Sequence, residues 1–567
     1  MNQDRELHKL LAAAERRSMN RRELLKRGGA IGLGASALAA ALGGIGGGSR
    51  AQAMELSALL QATPAGTAAP VNGVRGGTMN VATIGEPATL DEHQTTAEIT
   101  AVVGYCMYEG LFTYDKDYKA VPDLAESHTV SEDGLTHTVK LRQNVPFHNG
   151  EIMKADDVIA SLNRWGQISG VGKNLYAAMN ELAKVDDYTV EFHLKEKYGT
   201  IPIALAHNTQ AAIIYPKSVV DKAGTNPISD TTMLIGTGPY KLQEWKPDAH
   251  IRFVRFDDYA ARDEPINGYA GKKYAWADTI DFIPVPDEAA RVAGMQAGDY
   301  HLALDIGNDQ YETLKDSQGV VAEILPPSNW DVFFCNWKSP MMGKLAMRQA
   351  VQAVLDMEPI MLSGRGSQEF IRLDPGLMMK GSPWYTTAGG EFYNMKNPTL
   401  AKQKLQEAGY DGTPLRFLAT QEYSYMYGEA VVAKQQFEKI GIKVDFQVTD
   451  WATVLQQRAK PDAWDMFVTG HGFVPDPTQI SYVGQMNIYP GWWDAPDSLK
   501  LAAELAAESD FDTRYPIWEK IQSNAYTQIP ALKTGDSSNC SFRSDKVGGW
   551  TDQIERGVPY WNLWINK

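Results

Sequence analysis

The chain has 567 residues, and its 54 Lys and Arg against 69 Asp and Glu leave a formal net charge of −15 at pH 7. That acidity disfavours nucleic acid and anionic lipid as main partners, because both need a basic face to release counterions or meet headgroups. Three cysteines, Cys106, Cys335 and Cys540, cannot all pair and read as small buried hydrophobes rather than a disulfide framework.

In chain order, Asn20 to Lys26 reads NRRELLK, with Arg21 and Arg22 consecutive, followed by an uncharged run from Gly28 to Gly48 and the small-x-small triplet Ala51-Gln52-Ala53. The expectation is a removable twin-arginine leader over 1–53, which exports an already folded protein to the periplasm. Residues 54–77, rich in Ala, Gly, Thr and Pro without apolar periodicity, read as a flexible linker. Strand-like Thr78 to Ile84 comes next, then alternating THTVKL (Thr136 to Leu141) and TVEFHL (Thr189 to Leu194) as half-buried strands. Between these two, Lys154 to Trp165 places Val158, Leu162 and Trp165 on one helical face behind an acidic first turn.

Asp287 to Ala297 predicts a helix stopped by Gly298 and followed by a strand at Tyr300 to Leu304. Lys344 to Met357 and Leu400 to Ala408 carry helical spacing. Gly428 to Ile440 leads into a strand from Ile442, Asp450 caps a helix over Trp451 to Arg458, and Trp464 to Thr469 is another strand. This is βαβ patterning, and it predicts an α/β protein with more than one lobe; after Ser498 one helix and a loop-rich aromatic tail are expected.

Catalytic and metal motifs are missing. The ten histidines form no HExxH spacing, and the chain has no CxxC, GxSxG or P-loop. No cofactor and no metal site are expected. Aromatic side chains are abundant at the edges of predicted elements instead, as a stacking cleft requires.

Four ordered stretches resemble the extracellular solute-binding proteins, family 5, of peptide and nickel type ABC importers. They are EPATLDEH (Glu86 to His93) with YEGL (Tyr108 to Leu111); the block from Pro122 to Val158, containing PDLAES, VSEDG, THTVKLR, VPFHNG and ADDV; GTGPY (Gly236 to Tyr240) leading through Trp245 to Tyr259; and Arg348-Gln349-Ala350 with AGY (Ala408 to Tyr410) and IGIKV (Ile440 to Val444). The resemblance implies a two-lobed periplasmic-binding clamshell of α/β class, type II, with a small extra domain inserted in lobe one. Carried over, lobe I is 78–105 with 232–320 and 498–567, the insert is 106–231, and lobe II is 321–497. It also implies a non-catalytic monomeric receptor that captures a small solute between its lobes and delivers it to ABC permease subunits, with no role in nucleic-acid binding. The solute is a peptide-like, opine-like, glycoside or other organic molecule. The alternative is an exported hydrolase, or a metal- or haem-chelate binder, on the same scaffold.

Peptide-binding members carry an Asp shortly after a Gly-Trp type segment, and it pairs with the peptide amine. Alignment through Asp476-Pro477 puts Val474 there, and no Arg occurs between Arg416 and Arg458 to meet a carboxylate. Burying a zwitterion without partners costs several kcal/mol, so an ordinary peptide is disfavoured. The ligand-contact candidates are His471, Gly472 and Phe473, just past a predicted strand end; Trp337 after the strand-like Val332 to Asn336; Glu86 and Tyr108 at family positions; Tyr423 and Tyr425 in a loop that supplies ligand groups in relatives; and Trp493 beside Gly491.

Overall fold

The computed structural model describes residues 73–206, 210–550 and 558–566. The leader reading at Arg21 and Arg22, the cleavage site and nearly all of the linker lie outside the described residues. Strand β1 (Thr78–Thr83) is followed by the short pair β2 (Phe112–Tyr114) and β3 (Ala120–Pro122), then by four antiparallel strands, β4 (Ala125–Val130), β5 (Thr136–Leu141), β6 (Met179–Asp186) and β7 (Thr189–Leu194). Next come β8 (Tyr240–Lys246), β9 (His250–Arg255), β10 (Thr279–Pro284), β11 (Leu302–Ala303), β12 (Val320–Ile324) and β13 (Asn329–Cys335). The rest are β14 (Ile371–Arg372), β15 (Leu415–Thr420), β16 (Val444–Thr449), β17 (Met466–Gly472), β18 (Ala531–Ser537), β19 (Cys540–Ser544), β20 (Val547–Gly548) and β21 (Trp564–Ile565).

Two large sheets organise these strands. One runs β12-β19-β11-β1-β10-β9-β8, the other β14-β18-β13-β17-β15-β16. The four-stranded sheet β4-β5-β7-β6 packs against the helix Ala155–Ile168, which buries the predicted face of Val158, Leu162 and Trp165. In the six-stranded sheet, β15 and β16 pair in parallel across the helix Ser424–Lys439, as the βαβ patterning requires. Local chemistry explains the element ends. Asp450 accepts from the Thr453 N–H at 2.8 Å and starts the helix Trp451–Arg458, while Gly298, at φ 80°, ends the helix Glu288–Ala297 in the left-handed region that glycine tolerates.

The chain crosses between the large sheets twice, at 325–328 and at 538–539. The crossings hydrogen-bond to each other: the Leu325 N–H donates to Asn539 O at 2.9 Å and the Ser328 N–H to Ser537 O at 3.2 Å. This placement corrects the expectation that 498–567 belongs with the first large sheet. The helices Pro496–Ala507 and Phe511–Gln528 bury Leu505, Trp518 and Ile521 in the core of the six-stranded sheet, and β18 pairs with β13. Only from β19 onward does the tail return to the seven-stranded sheet. The single helix expected in the tail is two. Of the cysteines, Cys106 and Cys335 are buried and Cys540 partly so, and all three are free thiols.

Candidate functional site

Strand β17 runs antiparallel to β13, pairing His471 with Trp330 and Gly472 with Asn329 beside the crossing segments. Alternation sends Phe467 and Phe473 to one face of the sheet and Met466 and Val468 to the other. On the first face His471 stacks on Trp330, centroids 5.1 Å apart at 29°, with Phe334 edge-on at 5.6 Å and Tyr489 at 6.2 Å. Trp330 is fully buried and His471 only partly, so an anchored indole supports a partly exposed ring near the end of the strand. Phe473 is buried with the Lys533 ammonium 5.6 Å from its ring, and its N–H donates to Ser328 O at 2.9 Å, pinning the loop to the crossing segment.

On the opposite face, Tyr425 lies in the first turn of the helix Ser424–Lys439 under the Arg365 guanidinium, 3.8 Å from its ring. Arg365 also holds the buried Asp331 carboxylate, Nε to Oδ2 2.8 Å. Gly470 is required here, because a Cβ would stand 2.6 Å from Tyr425 Oη. Tyr423 is exposed and meets Trp451 edge-on at 5.4 Å. Asp536 is clasped by Lys533 and by Arg372 Nε at 2.8 Å. Glu429 is fully buried and accepts from Thr534 Oγ1 at 3.0 Å; burial, then the Asp331 charge, push its carboxyl well above the usual range.

The loop after β17 ends in a buried ion pair. Asp476 takes two hydrogen bonds from Arg514, at 2.7 and 2.9 Å, and also accepts from the Thr478 N–H at 2.9 Å. Val474 packs against the aromatic core.

His471, Gly472, Phe473, Tyr423 and Tyr425 therefore gather at one end of the six-stranded sheet. Trp337 and Trp493 do not join them. Trp337 follows the far end of β13, stacked under the Arg348 guanidinium at 3.9 Å, and its backbone N–H donates to Gly491 O at 3.0 Å. Trp493 is buried, with its indole N–H 2.7 Å from Gln528 Oε1. Seven strand residues at about 3.3 Å each separate the two ends. In the other half Glu86 accepts from the Asp248 N–H at 2.9 Å, and Tyr108 is buried edge-on to Tyr215 at 5.4 Å. Contacts between the halves escaped the sequence reading: Gln479 Nε2 donates to Tyr114 Oη at 2.9 Å, and the Gly199 N–H to Ala506 O at 3.1 Å. Gln479, Trp330, Tyr482 and Arg365 had no motif to mark them; aromatic density around 482–493 was the one available signal.

Two large sheets joined by a double crossing, with a ring-lined strand end beside it, define a clamshell solute receptor. The family model for bacterial extracellular solute-binding proteins, family 5 (its middle region), matches residues 119–487, and the chain belongs to that family. The probable peptide ABC transporter periplasmic-binding protein y4tO of Sinorhizobium fredii is 26% identical over 495 residues, covering 84% of this chain and 91% of that one. The oligopeptide-binding protein AppA of Bacillus subtilis, solved with a nonapeptide, superposes with a TM-score of 0.70 at 24% identity, over 88% of this chain and all of that one. NikA from Brucella suis, solved with Fe(III)-EDTA, gives 0.71 at 22% identity over 86% of this chain and all of that one. The fold is thus the two-lobed α/β periplasmic-binding clamshell. The protein is a periplasmic transport receptor and not an enzyme: it captures a small organic solute and delivers it to an ABC permease.

Proposed function

We propose that the solute binds between the lobes against the β17 strand end, and that it is held by stacking and hydrogen bonds rather than by an ammonium-carboxylate anchor. The observation that carries this reading is the state of the loop after β17. Val474 stands at the anchor position and is packed among aromatic side chains, and the next carboxylate, Asp476, is locked in a bidentate pair with Arg514 at 1% and 3% exposure. Asp331 and Asp536 are likewise engaged, by Arg365 and by Lys533 with Arg372. Taking any of these carboxylates for a ligand ammonium would strand a buried cation, which costs several kcal/mol. A peptide-like or opine-like solute with a blocked or absent amine fits this rim better than a zwitterionic peptide. His471, Gly472, Phe473, Tyr423 and Tyr425 are the proposed contacts from this lobe, and Glu86 the proposed contact from the other.

The test begins with native mass spectrometry of protein taken from its own periplasm, to identify the co-purifying solute. Calorimetry then compares that solute, or a short peptide, with its N-acetylated form. Acetylation is expected to change Kd by less than about threefold, and a loss above about tenfold, about 1.4 kcal/mol, would overturn the reading. His471→Ala is expected to weaken the co-purified solute by about tenfold, the worth of one stacking contact.

We further propose lobe I as 78–105, 232–324 and 540–566, the insert as 106–231 and lobe II as 329–537, with the crossings between them; limited proteolysis and hydrogen exchange would test these bounds. Export by the twin-arginine route rests on Arg21 and Arg22, and replacing both by Lys is expected to leave the precursor in the cytoplasm. A monomeric state is supported by the scatter of exposed large apolar side chains, from Ile84 to Phe511, and sedimentation would check it.

A further inference from the structure

A cavity of about 80 Å³ lies within the seven-stranded lobe and its insert, apart from the β17 strand end, and Glu92, Tyr105, Tyr108, Tyr269 and Trp561 stand in its wall. One part of that wall already holds an ammonium group. Lys273 Nζ sits 2.6 Å from Glu109 Oε1, 3.1 Å from Asp123 Oδ2 and 5.4 Å from the centre of the Trp561 ring. Glu92, elsewhere in the same wall, is only 3% exposed, and among the described residues neither of its carboxyl oxygens has a hydrogen-bond partner; Asp123 Oδ1 has none either. A buried polar group left in that state needs a ligand or a proton. Glu109 and Asp123 are answered by Lys273 and by the nearby Arg142 charge, whereas no cation acts on Glu92, so this end of the wall favours a cation over an anion.

The charges around Glu92 are otherwise settled. Asp91 is held by Arg164, Nη1 to Oδ1 2.9 Å, and accepts from Tyr215 Oη at 3.2 Å; His93 is pushed down to about 4 by burial and then by Arg164, and is neutral near pH 7. Tyr108, buried, keeps its proton. Burial, then the Asp91 charge, push the Glu92 carboxyl up to about 8, so near neutral pH the cavity holds the acid form.

We propose that this cavity is a second binding site, distinct from the cleft between the lobes, that takes a small alkylammonium ion with its nitrogen on the Glu92 carboxylate and its alkyl group against Tyr105 and Tyr108. Aromatic faces beside a carboxylate are the setting in which organic ammonium ions are held. The volume is about half that of a cavity that binds benzene, which limits the ion to a few non-hydrogen atoms. Binding near pH 7 ionises Glu92: the O–H bond breaks, the electron pair stays on the carboxylate that meets the ammonium, and the proton leaves to buffer.

Calorimetric titration of the full mature chain with methylammonium chloride at pH 7, in two buffers of different ionisation heat, tests this. Saturable binding with release of most of one proton is expected. Potassium chloride at equal concentration is expected to give no saturable heat, and Glu92→Gln to weaken methylammonium at least tenfold with no proton released. Absence of saturable binding, binding without proton release in the wild-type protein, or an equal response to potassium would each overturn the proposal. The wild-type proton count decides the matter even where Glu92→Gln folds poorly, and His471→Ala protein is expected to bind methylammonium unchanged, since the cleft takes no part.

Discussion

The two lobes solve the same electrostatic problem and leave different remainders. In the seven-stranded lobe and its insert, Asp91 pairs with Arg164 and Lys273 bridges Glu109 and Asp123, leaving Glu92 as a carboxyl without a cation; in the six-stranded lobe, Asp331, Asp476 and Asp536 are all matched, and Glu429 is a buried acid that burial pushes well upward. Glu429 keeps a hydrogen bond from Thr534, whereas Glu92 has none among the described residues. The difference teaches that a buried acid is tolerated in two ways, as a group held by one oxygen at the end of a network or as a neutral group in the wall of a cavity. Where the acids are paired with cations, they stiffen the rim proposed to meet the solute; where one is not, it leaves chemistry in reserve.

Removing a cation from each lobe tests the comparison most severely. Lys273→Met strands two carboxylates, Glu109 and Asp123, and Arg514→Met strands only Asp476. Breaking a buried pair from one side costs about 3–5 kcal/mol, and the two-acid case is expected at or above the top of that range. Urea unfolding checks the order. Arg514→Met is also expected to weaken solute binding through the loop from Phe473 to Asp476, whereas Lys273→Met leaves solute affinity within about threefold; a reversal of either ranking would break the proposed division between the lobes.

Replacing Glu92 by Gln isolates the remainder. Its carboxyl is raised in the folded protein to about 8, so the folded state holds more protons than the unfolded one between the ordinary value of 4.5 and about 8, and stability falls as pH rises through that window. Glu92→Gln is therefore expected to gain little at pH 4.5 and a few kcal/mol at pH 8, read as a difference in urea midpoint. The histidines act in the opposite direction. His93 and His148 are both lowered to about 4, chiefly by burial, so the unfolded chain binds more protons between pH 6.5 and about 4, and stability is lost as pH falls through that range, by roughly 3 kcal/mol for each. Both lie in the seven-stranded lobe or its insert. Hydrogen exchange at pH 4.5 is expected to show that half opening before the six-stranded half; simultaneous opening would mean that the crossings couple the lobes more tightly than their separate cores suggest.

How much of this was readable in the chain depended on the range of the interactions. THTVKL, TVEFHL and the helix read from Gly428 with the strand after it were legible because period and caps are local, although the helix starts earlier, at Ser424, which takes Tyr425 out of the expected loop, and the strand Leu415–Thr420 before it went unread. The tail was not. Ser537 and Cys540 are three positions apart yet belong to different sheets, and no local pattern marks a chain that leaves one sheet and enters another. Trp337 and Trp493 stand beside loops in sequence, like His471, but strand direction sends Trp337 to the opposite sheet end, and Trp493 is buried against Gln528. The triad of Glu109, Asp123 and Lys273 spans up to 164 positions, and Glu92 lies in a stretch, LDEH, that looks solvated until tertiary packing buries it.

The smallest effect concerns the contact across the lobes. Gln479 donates to Tyr114, whose own hydroxyl reaches Ile203 O at 3.1 Å, so one phenol joins the six-stranded lobe to the insert. Such a bond between neutral groups contributes about 1 kcal/mol. If it forms only when the clamshell is shut, Gln479→Ala shifts the closed-to-open ratio about fivefold, and solute affinity falls by up to about the same factor, because a receptor that closes less readily binds in proportion to its competent fraction. Small-angle scattering of the ligand-free protein would then show a larger mean radius for Gln479→Ala. A loss of affinity without expansion would instead make Gln479 a direct solute contact, and the phenol of Tyr114 would become part of the cleft wall.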